Sequence, residues 1–143
     1  MAKEIATKLL KFTPGQTIIT ESSESMYLYV VKSGQVKVLK EGIGGKEIPI
    51  AVINSGQYLG ELALLSGTNH TASAVALTDV EVIQMPRSGL EEQLKSAPTW
   101  LLALTRNLAD RLIRTNEVLR RNNIVDETLM GAFQAAEEHA KGR

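Results

Sequence analysis

Not one of the 143 residues is a cysteine. Disulfides, thiolate metal sites and a cysteine nucleophile are excluded, and the chain suits a reducing cytoplasm, which is the expected location. Only two histidines are present, His70 and His139, widely separated in sequence. A metal site of the cupin kind therefore lacks its clustered ligands, and no cofactor is expected. No partnered nucleophile or acid–base constellation is visible either, so the chain reads as a binding module and not an enzyme. Charge of either sign is missing in excess: Lys plus Arg and Asp plus Glu both number 16. No overall field draws the molecule to DNA or to an anionic membrane. Nor is there a long apolar run to act as a signal peptide or membrane span. Aromatics are sparse, and Phe12, Tyr27, Tyr29, Tyr58 and Trp100 read as core or strand-surface groups, with Phe133 assigned to a core role in the tail.

What is present falls into two patterns that divide near Met85. From Leu9 to Met85 short β-branched groups alternate with turn residues: Thr17 to Ile19, Met26 to Val31, Val36 to Leu39, Ile48 to Ile53, Ala72 to Leu77 and Val80 to Met85. Breakers separate them at Pro14-Gly15, Ser33-Gly34, Gly42 to Gly45 and Asn54 to Gly56. This spacing predicts an antiparallel sandwich or barrel. After Pro86 the period becomes helical, with a short segment from about Ser88 to Ser96 and a longer helix from Pro98 to about Asn122. Leu101, Leu104, Leu108, Leu112, Thr115 and Leu119 fall on one stripe. The long helix would extend about 37 Å, too far for the sandwich alone to cover, so the stripe is expected to meet a second copy. The length suits a single domain, divided into a β-unit (1–96), the long helix (97–123) and a tail with an accessory helix (124–143), where Gly131 is a weak point.

The run Gly60-Glu61-Leu62-Ala63-Leu64 followed by Thr68-Asn69-His70-Thr71-Ala72-Ser73 has the chemistry of an anion cradle. Gly60 permits close backbone approach, and a helical turn opening at Glu61 would aim unpaired amides and a positive dipole end at a phosphate. Glu61 can accept from a sugar hydroxyl and Thr71 can donate to a phosphate oxygen. This pattern resembles the phosphate-binding cassette of the cyclic nucleotide-binding domain family. The resemblance runs from about Lys11 to Leu119. It includes Phe12 to Ile18 as the opening strand and turn, Tyr27 to Val38 as the next hairpin, and Leu108-Ala109-Asp110-Arg111-Leu112 in the dimerising helix. It implies a mainly β fold with C-terminal helices: a double-stranded, jelly-roll-like antiparallel β-roll, then a short helix, a long dimerising helix and a short tail helix. It also implies Glu61 for the ribose, the amides of Leu62 and Ala63 with Thr71 for the phosphate, Ala72 beside them in the ligand site, and Thr115 with Asn116 near the base. Arg111 is matched to an arginine that reaches toward the cassette glutamate.

Two departures qualify the resemblance. His70 stands where the family carries arginine, and an unperturbed imidazole is only about a quarter protonated at pH 7, so mononucleotide affinity should fall roughly ten- to 150-fold. Ser22-Ser23 replaces a glycine often found in the early turn. In addition, the 24 residues after Leu119 carry few basic groups, so a helix-turn-helix reader of DNA is not expected. The reading is a homodimeric sensor module that binds cyclic AMP or cyclic GMP and signals to a protein effector. Two alternatives stay open: a cyclic dinucleotide receptor, and a ligand-free dimeric scaffold.

Overall fold

The computed structural model describes residues 4–142. Met1 to Lys3, at the head of the expected β-unit, and Arg143, at the end of the expected tail, lie outside the described residues. Eight strands form two antiparallel sheets of four. The first holds β1 (Lys8–Phe12), β8 (Val80–Pro86), β3 (Tyr27–Ser33) and β6 (Tyr58–Leu59) in that order. The second holds β2 (Thr17–Ile19), β7 (Ser73–Ala76), β4 (Val36–Glu41) and β5 (Glu47–Ile53). Alternation along the strands sends Val31, Val36, Val80 and Val82 between the sheets, where each is essentially inaccessible. The β3–β4 turn shows why glycine is required at one point. Gly34 has φ +91°, and a Cβ there would lie 2.2 Å from the Asp79 carbonyl oxygen. This is the mainly β roll with C-terminal helices expected from the sequence.

Four helices punctuate or follow the roll: α1 (Glu61–Ser66), α2 (Arg87–Leu94), α3 (Thr99–Arg121) and α4 (Glu127–Lys141). None among the described residues is long and apolar enough to cross a membrane. The long helix α3 has two apolar lines. Leu102, Thr105, Ala109, Ile113 and Asn116 face inward, with Ala109 only 2% exposed, and α3 packs there on α1. A hydrogen bond from Ser66 Oγ to Asp110 Oδ1, 2.8 Å, reinforces that contact. The other line is the stripe read from the sequence: Leu101, Leu104, Leu108 and Leu112 are all exposed. Leu119 departs from it and is half-buried, because the chain turns back there and the Ile124 amide donates to its carbonyl.

The tail is a docked helix. Asp126 caps α4 by accepting from the amides of Thr128 and Leu129, which satisfies donors the first turn cannot pair. Phe133 is 1% exposed where α4 lies on β5. Lys37 sits over its ring, 5.8 Å from the centroid, and its ammonium meets Glu137 at 2.9 Å and Glu47 at 3.1 Å. Burial works to lower the Lys37 pKa, but the two carboxylates together carry it above 10.5. Before α4, Asn123 adopts a left-handed φ of +49°, which asparagine tolerates better than most residues. Its side chain pairs reciprocally with the Ile43 amide and carbonyl.

Candidate functional site

Gly60 ends β6 with φ +84° and serves as N-cap of α1. A side chain there would press within 3.1 Å of His70 Cε1 and 3.3 Å of the Tyr27 carbonyl, so glycine is what lets His70 close against the strand end. Helix α1 lasts six residues and closes at Gly67, φ +70°, whose amide donates to the Ala63 carbonyl. The loop that follows is held from behind: the His70 amide donates to the Ser23 carbonyl at 2.9 Å, and the Ser22 amide donates to the His70 carbonyl at 2.8 Å. Ser22, in the early turn, carries φ +71°, a conformation glycine reaches at lower cost. The left-handed turn is thus preserved without the glycine, and its strain is offset by the bonds to the cassette.

In front of α1 a recess encloses about 570 Å³ of empty space, part of it open to solvent. Gly60, Glu61, Leu62, Ala63, His70, Thr71, Ala72 and Asn116 all line it. Val38, Ile50, Ala51, Ile53 and Tyr58 give it an apolar wall that the sequence reading did not assign to the site. The lining thus combines polar groups and the open end of α1 with aliphatic surface. Such an arrangement can hold an anion beside a flat, weakly polar body. Two expected residues are not in the recess. Arg111 is exposed on α3 and makes no ion pair with Glu61 among the described residues, while Thr115 is exposed on the outer stripe. Helical spacing explains the split, since Asn116 follows the inward line and Thr115 the outward one.

Electrostatics set the resting state of this recess. His70 is 8% exposed, and burial first, then the positive charge of Arg87, pushes its imidazole below 6.5. Arg87 opens α2 and donates from Nε to Glu91 at 2.6 Å and from Nη1 to the Ser25 carbonyl at 3.1 Å. Burial pushes the Glu61 carboxyl above 4.5, with a hydrogen bond from its own amide acting in the opposite direction. A second cation lies behind the cassette. Lys40 is 5% exposed and donates to the Thr71 carbonyl. One signal in the sequence pointed to it: Lys40 shares the inward register of β4 with Val36 and Val38, where a lysine is out of place without partners.

A family model for the cyclic nucleotide-binding domain matches residues 9–97. The chain belongs to the cyclic nucleotide-binding domain family. This domain is 31% identical over 115 residues to the CRP-like cAMP-activated global transcriptional regulator of Mycobacterium tuberculosis, covering 80% of this chain and 49% of that protein. It is 37% identical over 89 residues to the cAMP-dependent protein kinase regulatory subunit of Aspergillus niger, covering 62% of this chain and 21% of that one. Among solved structures it resembles the cAMP-bound form of the EAL enzyme Bd1971, with a TM-score of 0.71 at 28% identity over 76% of this chain and 29% of that chain. It also resembles cAMP-bound PfPKA-R, with a TM-score of 0.58 at 30% identity over 60% of this chain and 30% of that chain. The chain thus spans half or less of the length of these relatives. The two curated relatives are a transcriptional regulator and a protein kinase regulatory subunit, and the likeness to the EAL enzyme covers 29% of that chain.

Proposed function

We propose that this cyclic nucleotide-binding domain is a cytoplasmic sensor that takes a cyclic mononucleotide, cyclic AMP or cyclic GMP, into the recess before α1. The observation that carries the reading is the convergence of the Gly60 to Ala63 turn, His70, Thr71, Ala72 and Asn116 on one recess with an aliphatic wall. In this reading the phosphate meets the amides of Leu62 and Ala63 and the Thr71 hydroxyl, and Glu61 receives a ribose hydroxyl. His70 is the weak member, since a neutral imidazole offers one donor where arginine offers a charged fork. The ligand acts by favouring one seating of α3 on α1 over another, and two copies joined along the exposed leucines of α3 pass that difference to a protein effector, not to DNA.

Calorimetric titration with cyclic AMP and cyclic GMP tests this reading. Binding is expected in the micromolar range or weaker, and His70→Arg should tighten it by roughly ten- to 150-fold, the worth of one charged hydrogen bond. Absence of heat and of any melting shift for both nucleotides, in the wild type and in His70→Arg alike, would leave a ligand-free dimeric scaffold as the better description. A response to cyclic dinucleotides alone would reassign the ligand.

A further inference from the structure

Lys40 is the one nearly inaccessible lysine among the described residues, and of its partners only Thr71 also lines the recess. Three oxygens from three different segments face it. The Thr71 carbonyl of the cassette accepts its hydrogen bond. Glu21 Oε2, from the turn between β2 and β3, lies at 3.8 Å, and Glu117 Oε2, on the last turns of α3, lies at 3.8 Å. Each carboxylate is fixed in turn. Glu21 accepts from the Glu41 amide at 3.0 Å, while its own amide donates to Ser73 Oγ at 2.9 Å. Glu117 is gripped by Arg120 through Nε at 2.9 and 3.0 Å. A buried lysine is tolerated only where its partners stay in place, and the removal of one leaves a charge that neighbouring groups must move to meet.

We infer that Lys40 is a positioning residue that couples the cassette to α3, by holding the Thr71 carbonyl and the Glu117 carboxylate on one ammonium. The inference deepens the sensor reading, since it names the element through which cassette and helix are linked. Displacement of the loop 70–72 toward a ligand draws Lys40 away from Glu117. Displacement of α3 withdraws Glu117 and leaves Lys40 to Glu21, at 3.8 Å, and to the Thr71 carbonyl it already holds. The relation is reciprocal, as any coupling between two sites must be.

The decisive measurement is amide hydrogen exchange on the full chain without ligand, in wild type, Glu117→Gln, Lys40→Met and the double variant. The probes are the Ser22 and His70 amides, which tie the cassette to the early turn. Glu117→Gln alters only α3, yet it should speed exchange at both amides by about tenfold while the β3–β8 ladder keeps its protection. Lys40→Met should do so at least as strongly, and the double variant no more than Lys40→Met alone. Unchanged exchange at Ser22 and His70 in Glu117→Gln, or effects that multiply in the double variant, would overturn the coupling. Because Glu117 is partly exposed and its loss leaves the core intact, that variant decides the question even if Lys40→Met does not fold. Titration of the same proteins with cyclic AMP separates this inference from the ligand reading. Transmitted exchange without nucleotide binding removes the ligand and keeps the coupling, whereas binding with no transmission removes the coupling alone.

Discussion

At the scale of single residues, the recess holds two ionisable groups that burial has pushed toward neutrality in opposite senses. Burial and Arg87 push His70 below 6.5 in the free protein, which favours its neutral form, and a bound phosphate acts in the opposite sense by drawing a proton onto it. Nucleotide affinity should therefore rise as pH falls from 8 through 6.5, with net proton uptake on binding; His70→Arg should remove both effects in calorimetry across buffers of different ionisation enthalpy. Stability of the free protein runs the other way. The unfolded chain accepts the proton first, so the His70 contribution is whole above 6.5 and is lost as pH falls toward the folded value. Glu61 behaves in the converse manner. Its folded pKa lies above 4.5, so its contribution is whole below that value and is lost as pH rises through the folded one, leaving a buried carboxylate that costs stability at pH 7. Glu61→Gln should raise unfolding stability at pH 7 by about 0.5–2 kcal/mol, measured by denaturant titration, while weakening cyclic nucleotide binding about tenfold or more.

At the scale of elements, α4 is held by one deep side chain and one ion cluster. Phe133→Ala should cost about 3–5 kcal/mol if α4 unfolds with the roll, or abolish protection of α4 alone if it undocks; native-state exchange distinguishes the two. The strands of the roll were legible because Gly34, the Gly42 to Gly45 run and Asn54 to Gly56 punctuate β-branched runs whose alternation matches the two inner faces. The cassette was legible because its chemistry lies in one contiguous stretch. What was not legible depends on contacts distant in sequence. The two-residue strand β6 exists only through its pairing with Tyr29 and Val30. Lys40 and Arg87 reach the cassette from β4 and α2; the inward register of β4 marks Lys40 as buried, but no local pattern names the partners of either residue. Thr115 and Asn116 are neighbours in sequence, but one residue of helical rotation, about 100°, puts Thr115 on the exposed face of α3 and Asn116 on the inward one.

At the scale of the whole molecule, the exposed Leu101, Leu104, Leu108 and Leu112 lie about 100° around α3 from the line by which it grips α1. The dimer proposed along this face should appear by sedimentation. Leu108→Asp with Leu112→Asp should weaken association by at least roughly 10⁴-fold, since one buried leucine is worth about 1.5–3 kcal/mol and each change enters a two-fold interface twice. Trp100, the only tryptophan and 67% exposed, begins the same helix and gives a fluorescence signal of its surroundings. The Asn123–Ile43 clasp gives this helix a mechanical asymmetry. With its C-terminal end bolted to the turn between β4 and β5, α3 can swing only as a lever pivoted near Asn123. Glu117 then sits on a short arm of about 9 Å and Trp100 on a long one of about 35 Å, at 1.5 Å per residue. A displacement of half an ångström at the Lys40 contact becomes about 2 Å at the far end, roughly the play that separates one packing of facing side chains from the next.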